Sequence, residues 1–463
     1  MQPIVIKTPR IDPVRIIIIG KYYDCQMYRG RLYLWTMDGS IIVYDWNKVI
    51  NQIVIPKFKE KLPFVFSFME GNFLYNKRVS YIFSDEAYRS VLLKQYKVLI
   101  DTPVTISVEE MEQSRLYQGG IPMNELPIDT EVYANNLYFA LDDGLYRKVI
   151  HTSASDPSLG PKDTKLWNCR LLSLKANKYP QIALSAGSEG LFELNLVKDE
   201  AIRPQALESV EGTKVYQISS KPSSFSNYSF LSVFSSSYVN ESYMALFNWK
   251  PIDTQRLNLS GKKDVKVYRD FDEVIEQQDI FGENIESEIS WGIDDKIYSI
   301  KKNVLTILKF NNAANIEKGE HYYQTLESVK LPANIGEIVG AGSSYFGNVL
   351  EFTKGVMVLR SDGNVTVIPD EVIRWRVYPR SKNYLNHLHL LYDDRLEIYS
   401  FNHDALVNQV TKKIGIEYIP DETPIYKSKN ENVAAKPADV FDKIILKSGD
   451  FNEFNLDETE FPF

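Results

Sequence analysis

A short apolar or aromatic segment that runs into an Asp, Glu or Gly turn, and then into a second alternating segment, recurs along this chain of 463 residues. The clearest copies span residues 32–46, with Asp38-Gly39 at the turn, and 137–147, with Asp142-Asp143-Gly144. A third spans 182–194 around Ser188-Glu189-Gly190. Later copies cover 291–300 around Asp294-Asp295, 357–367 around Asp362-Gly363, and 389–399 around Asp393-Asp394. A turnless relative joins 230–234 to 243–247, and a further hairpin is expected over 66–75 around Glu70-Gly71. Asp-Gly and Glu-Gly supply the positive φ that tight hairpin turns need.

Successive copies lie roughly 35 to 65 residues apart, apart from one gap near 100, which suits a repeat of several short strands. One such sheet cannot cover both of its apolar faces, whereas sheets stacked on one another can. The expectation is an all-β fold, a single β-propeller of about seven blades, with about six to eight arithmetically possible. It occupies residues 1–417, and the closing strand is expected at 14–19 or at 414–419. Residues 108–130 and 153–164 read as loops. The charged stretch 262–288 is expected to hold a short helix over 272–278.

Composition agrees with strands. The chain holds 29 Tyr, 23 Phe and 6 Trp, types that suit a pleated, half-buried surface. A net charge of −8 argues against bulk attraction to nucleic acid or an anionic membrane. The N-terminus has no basic region followed by a long apolar one, so no signal peptide is expected. The longest apolar runs fall far short of the ~20 residues of a membrane helix. A soluble, cytoplasmic protein is therefore expected. Cys25 and Cys169 read as ordinary thiols, with one structural bridge as the alternative.

These strand–Asp/Gly–strand units resemble WD40-like and quinoprotein-like β-propellers, and Tyr44-Asp45-Trp46 is similar to the Trp-Asp strand ending of the former. The resemblance runs over residues 10–417 and implies an architecture. It places no functional residue, because recurring Gly-His, a repeated double glycine and a complete Asp box are all missing from the sequence.

For chemistry the sequence offers little. It has no Gly-x-Ser-x-Gly elbow, phosphate loop or dinucleotide fingerprint. His387 and His389 would face the same way in a strand, with His403 and Asp393 nearby, but no second ligand pair is visible; hydrogen-bonded strand histidines are expected, and no metal or cofactor. The repeated Asp pairs read as turn residues rather than acids and bases.

Two features point to binding. Arg374, Arg376, Arg380 and Lys382 alternate so that an extended segment puts them on one face with Tyr378, opposite Trp375 and Val377. Such a stripe suits carboxylates or phosphates, and equally suits a solvated outer strand. Lys57, Lys59 and Lys61 form a shorter, blander stripe. The second feature is an acidic tail, residues 418–463. From residue 421 it has ten acidic and five basic residues, and it ends in a stretch carrying Phe451, Phe454, Phe461 and Phe463. Its charge predicts disorder when unbound, and its aromatics predict that something binds it. The expected function is a non-catalytic interaction scaffold or complex subunit with protein partners. The alternatives are a propeller hydrolase or lyase acting on a glycan or polar small molecule, and nucleic-acid binding through the arginine strand.

Overall fold

A computed structural model describes residues 13–70, 82, 85–100, 102–121, 125–151, 159–176, 181–195, 213–216, 223–228, 231–238, 241–257, 263–276, 288–293, 295–311, 318, 320–331, 336–360, 365–381 and 383–401. Contacts group the chain into two compact units, with the boundary at Leu174–Lys175 and again before Ala333.

The first unit holds the described residues between 13 and 174 and between 336 and 401. It begins with β1 (Val14–Ile19), which stands outside the first meander. That meander is β2 (Tyr22–Tyr28), β3 (Arg31–Thr36) and β4 (Ser40–Asp45). A largely helical excursion carrying β5 (Val104–Ile106) follows, and then β6 (Arg115–Gly120) completes the order β2-β3-β4-β6. The next sheet is β7 (Asp129–Tyr133), β8 (Asn136–Leu141), β9 (Gly144–Val149) and β10 (Thr164–Trp167).

The other unit carries three sheets. They are β11 (Ser173–Ala176), which straddles the boundary, with β12 (Gln181–Ser185), β13 (Leu191–Asn195) and β14 (Thr213–Tyr216); then β15 (Ser223–Tyr228), β16 (Leu231–Tyr238), β17 (Glu241–Leu257) and β18 (Lys263–Glu276); then β19 (Ile289–Ile293), β20 (Lys296–Lys301), β21 (Val304–Phe310) and β22 (Tyr323–Lys330).

Back in the first unit, β23 (Ile338–Ser344), β24 (Gly347–Phe352), β25 (Gly355–Arg360) and β26 (Val365–Pro369) form one more meander. The last described strands are β27 (Arg374–Val377), β28 (His387–Leu391) and β29 (Arg395–Ser400). They take β1 as their fourth strand and β5 as a fifth, in the order β27-β28-β29-β1-β5.

This is a β-propeller architecture. Against the expected seven or so blades, six described sheets are four-stranded meanders in chain order, and one further sheet is a composite that ties the start of the repeat region to its end. Val14–Ile19 is the strand that joins it, antiparallel to β29 from Val14↔Ser400 to Ile19↔Arg395. The alternative closing strand, 414–419, lies outside the described residues, as do 418–463.

Period-two alternation explains the packing. In β3, Leu32 and Leu34 enter one apolar cluster while Tyr33 and Trp35 enter the next. In β28, Leu388 and Leu390 pack with Val349, Val356 and Val358, whereas Leu391 joins the cluster of β1. A strand buried on both faces is one whose sheet lies between two others. Each buried Leu or Val adds about 1.5–3 kcal/mol of transfer free energy. The turns follow the sequence: Gly39 sits at φ 80° and Gly144 at φ 153°, where a side chain would be strained.

Three expectations are corrected. Residues 108–130 are no loop: Ser107 and Glu110 form a reciprocal capping box that starts the helix Val108–Glu112, and β6 and the start of β7 follow. The hairpin expected from residue 66 is instead the end of helix Leu62–Phe68, with Pro63 in its first turn; residues 71–75 lie outside the described residues. In place of a helix from 272, β18 continues to Glu276, paired through Val274↔Phe247 and Ile275↔Leu246. There the cross-strand partner outweighs local helix preference.

Candidate functional site

The start of the arginine segment becomes β27, which among the described residues is an edge strand paired only with β28. Alternation sends its side chains to two different neighbours. Trp375 turns toward β23 and β24, where its Nε1 donates to Glu351 Oε2 at 2.9 Å. Gly340 and Gly342 make room for the indole, since a Cβ on Gly342 would stand 2.7 Å from Trp375 Cη2. Burial raises the pKa of the Glu351 carboxyl, and the hydrogen bond from Trp375 acts against that rise.

On the other face lies a carboxylate that the strand pattern does not single out. Asp24 is fully buried in β2, at a register shift between Tyr22 and Asp24 that inserts Tyr23. A bulge of this kind re-aims a side chain. Arg376 grips Asp24 side-on, Nε to Oδ1 at 2.9 Å and Nη2 to Oδ2 at 2.6 Å, and reaches Asp129 Oδ1 at 2.7 Å. Arg374 donates to Asp24 Oδ2 at 3.1 Å, to the Tyr23 hydroxyl at 3.2 Å and to the Ile128 carbonyl at 3.0 Å. Its guanidinium also lies 4.8 Å from the centre of the Tyr23 ring. Thr130 Oγ1 donates to Asp24 Oδ2 at 2.8 Å. Further along, Arg380 pairs with Glu131 Oε1 at 2.6 Å and stands 5.2 Å over the Tyr133 ring.

Three arginines from one strand region thus meet Asp24 of β2 and Asp129 and Glu131 of β7. Three sheets are joined by matched charge. Burial alone would raise the pKa of Asp24; the cations of Arg376 and Arg374 outweigh it and hold the carboxyl below its ordinary range. For Arg376, burial opposes the charge, but Asp24 and Asp129 keep it protonated and lift its pKa well above the usual value.

Beneath this network sits a neutral cluster. Tyr378 Oη lies 3.2 Å from His389 Nδ1, and Cys25 Sγ lies 3.5 Å from the same nitrogen. Burial pushes the Cys25 thiol far up and the His389 imidazole well down. A cysteine so buried is a packing residue, since the reactive form is the thiolate. His387 donates from Nε2 to the Ser67 carbonyl at 2.6 Å, and burial brings its pKa down to about 4. The strand role expected for both histidines is the observed one. Asp393 is exposed in the following turn, and His403 lies outside the described residues. Among the described residues no three His, Cys, Asp or Glu side chains are placed to hold an ion.

Of the Asp pairs, Asp142-Asp143 works in a turn, where Asp143 accepts from the Tyr146 hydroxyl and from Lys165, each at 2.7 Å, while Asp294 lies outside the described residues. Lys57, Lys59 and Lys61 are exposed, and Lys57 pairs with Glu110 at 2.6 Å. Lys382, Phe451, Phe454, Phe461 and Phe463 lie outside the described residues.

A second surface stands out on the excursion between β4 and β6. Six of the fourteen large apolar side chains exposed among the described residues, Leu62, Ile82, Tyr88, Val91, Val98 and Val108, belong to this excursion. The helix Glu86–Ile100 buries Leu92, Tyr96 and Leu99 and shows Val91 and Val98, with Lys94 and Lys97 beside them, on its open side. No helix among the described residues is long and apolar enough to cross a membrane.

No family model matches the chain. No curated protein matches it either. Among solved structures it is similar to the Dos1 propeller, at 9% identity and a TM-score of 0.40 over 82% of this chain and 78% of that one. It is also similar to BBS1N, crystallised in complex with ARL6DN, at 9% identity and a TM-score of 0.41 over 84% and 95% of the two chains. The computationally designed Ika8 protein is a third, at 8% identity and a TM-score of 0.35 over 84% and 100%. The propeller assignment itself rests on this chain's own sheet order.

Proposed function

We propose that the protein is a non-catalytic interaction scaffold, a subunit that holds other proteins together. The observation that carries this reading is the exposed side of helix Glu86–Ile100, which shows Tyr88, Val91 and Val98 with Lys94 and Lys97 beside them. Apolar anchors with charge at the rim are how one protein engages another with affinity and speed. The acidic tail is the second attachment, in which Phe451, Phe454, Phe461 and Phe463 dock into an apolar groove with basic edges on a partner protein. Two linked attachments raise effective concentration at that partner.

The arginine stripe takes a lesser part in this reading. Arg374, Arg376 and Arg380 already spend hydrogen bonds on Asp24, Asp129 and Glu131. With Lys382 they serve as a secondary contact at the strand edge.

The experiment is an affinity purification with the full chain, with a chain lacking residues 448–463, and with a Val91→Asp, Val98→Asp variant. A stoichiometric partner retained by the full chain and weakened by both changes supports the scaffold. Identical recovery by all three overturns it.

A further inference from the structure

Among the described residues, the last strand of each four-stranded sheet pairs on one side only. In the six four-stranded sheets that strand carries its own deterrent to edge pairing. The outermost strands include Arg115 and two glycines in β6, Lys165 in β10, Lys214 in β14, several charges in β18, Glu327 and Lys330 in β22, and Pro369 in β26. Charge, glycine and proline on an edge are the recognised means of blocking association.

β1 carries one charge, Arg15, near its start, and no deterrent over the four residues beyond it. After Arg15 it runs Ile16-Ile17-Ile18-Ile19, four consecutive β-branched residues without a charge, glycine or proline. An open edge of this composition templates pairing with another chain. Among the described residues, only this sheet carries a fifth strand. β5 lies parallel to β1 through Ile16↔Val104, Ile17↔Thr105 and Ile18↔Ile106, covering the isoleucine edge.

The path that delivers β5 is long for what it connects. β4 and β6 are antiparallel neighbours, which a hairpin of about two to five residues can join. Instead the chain leaves after Asp45, builds several helices, passes along β1 and returns at Arg115. β5 is fastened where it lies. Val104 and Ile106 are buried in the same cluster as Ile16 and Ile18, Lys57 Nζ donates to the Thr105 carbonyl at 3.3 Å, and the capping box at Ser107 begins the next helix directly.

We infer that β5 is a built-in edge guard, and that without it the chain associates with itself by pairing along β1. The test replaces residues 103–107 by Gly-Ser-Gly-Ser-Gly in the full chain. Sedimentation velocity then reads association, and hydrogen exchange reads the amides of residues 16–18. The guard predicts faster exchange there and a shift from the parent's state to larger species. It also predicts that adding Ile19→Lys, at an exposed position, returns the parent's sedimentation while exchange stays fast. Association caused by general unfolding would not be reversed by one charge on β1. A folded replacement that sediments like the parent overturns the inference, and so does association that Ile19→Lys leaves unchanged. If the replacement does not fold, Ile106→Gly takes its place: larger species that Ile19→Lys disperses support the guard, and parent-like sedimentation overturns it.

Discussion

Arg376 and Asp24, far apart in the chain, meet side-on through two hydrogen bonds of 2.9 and 2.6 Å, with the carboxylate fully buried. Their strands belong to adjoining sheets, and Asp129 extends the contact to a third. Removing one member of a buried pair leaves the other charge stranded, at a cost of about 3–5 kcal/mol. Asp24→Asn is therefore expected to lower unfolding stability by about that amount, read from denaturant titration. Adding Arg376→Met should cost clearly less than the sum of the two single changes. Additive losses would mean that the two side chains do not act as a pair.

Acid should loosen the same region in two steps. Burial depresses the folded pKa of His387 to about 4 and that of His389 well below 6.5. Their stabilising contribution is complete above the unfolded value near 6.5 and is lost as pH falls from there toward the folded values. Two such protons give a slope of about 2.7 kcal/mol per pH unit within that window. The depressed Asp24 carboxyl adds a second loss below its ordinary value of 3.8. Thermal melts from pH 7.5 to 4 should show the first step, and His387→Gln should flatten it. A melting temperature constant across this range would contradict buried neutral histidines.

The hairpins were legible because each carries its information locally: Asp38-Gly39 and Asp142-Asp143-Gly144 fix turns, and the flanking alternation fixes which residues face inward. The helical excursion was not. Phe64, Phe66 and Phe68 favour strands as residue types, yet they lie in a helix because packing against Tyr96 and the β1 cluster decides there. The Ser107–Glu110 capping box and Pro63 in the first turn of Leu62–Phe68 were local signs. The arginine alternation was readable, and so was the opposite placement of Trp375. Their partners were not, since Asp24 stands in an ordinary strand and acquires its role from a bulge and from contacts across most of the chain.

The indole of Trp375 gives a test of packing. A Cβ on Gly342 would meet Trp375 Cη2 at 2.7 Å while Nε1 is anchored on Glu351. Gly342→Ala is expected to cost about 1–3 kcal/mol through overpacking. Pairing it with Trp375→Phe should recover part of the loss, since the smaller ring vacates that position. If the alanine variant melts with the parent, the strand has slack that these distances do not suggest.

The two thiols should separate by reactivity. Cys25 is fully buried beside Tyr378 and His389, with its pKa raised chiefly by burial and further by Asp24. Cys169 is only partly covered and pairs with no other sulfur. An aromatic disulfide reagent at pH 8 should therefore label one equivalent in the native protein and two in denaturant, and Cys169→Ser should abolish the native signal. Labelling of Cys25 on the same timescale as Cys169 would show that the β2 sheet parts readily from β28 of the neighbouring composite sheet, and the buried charge network above it would then be far weaker than its geometry implies.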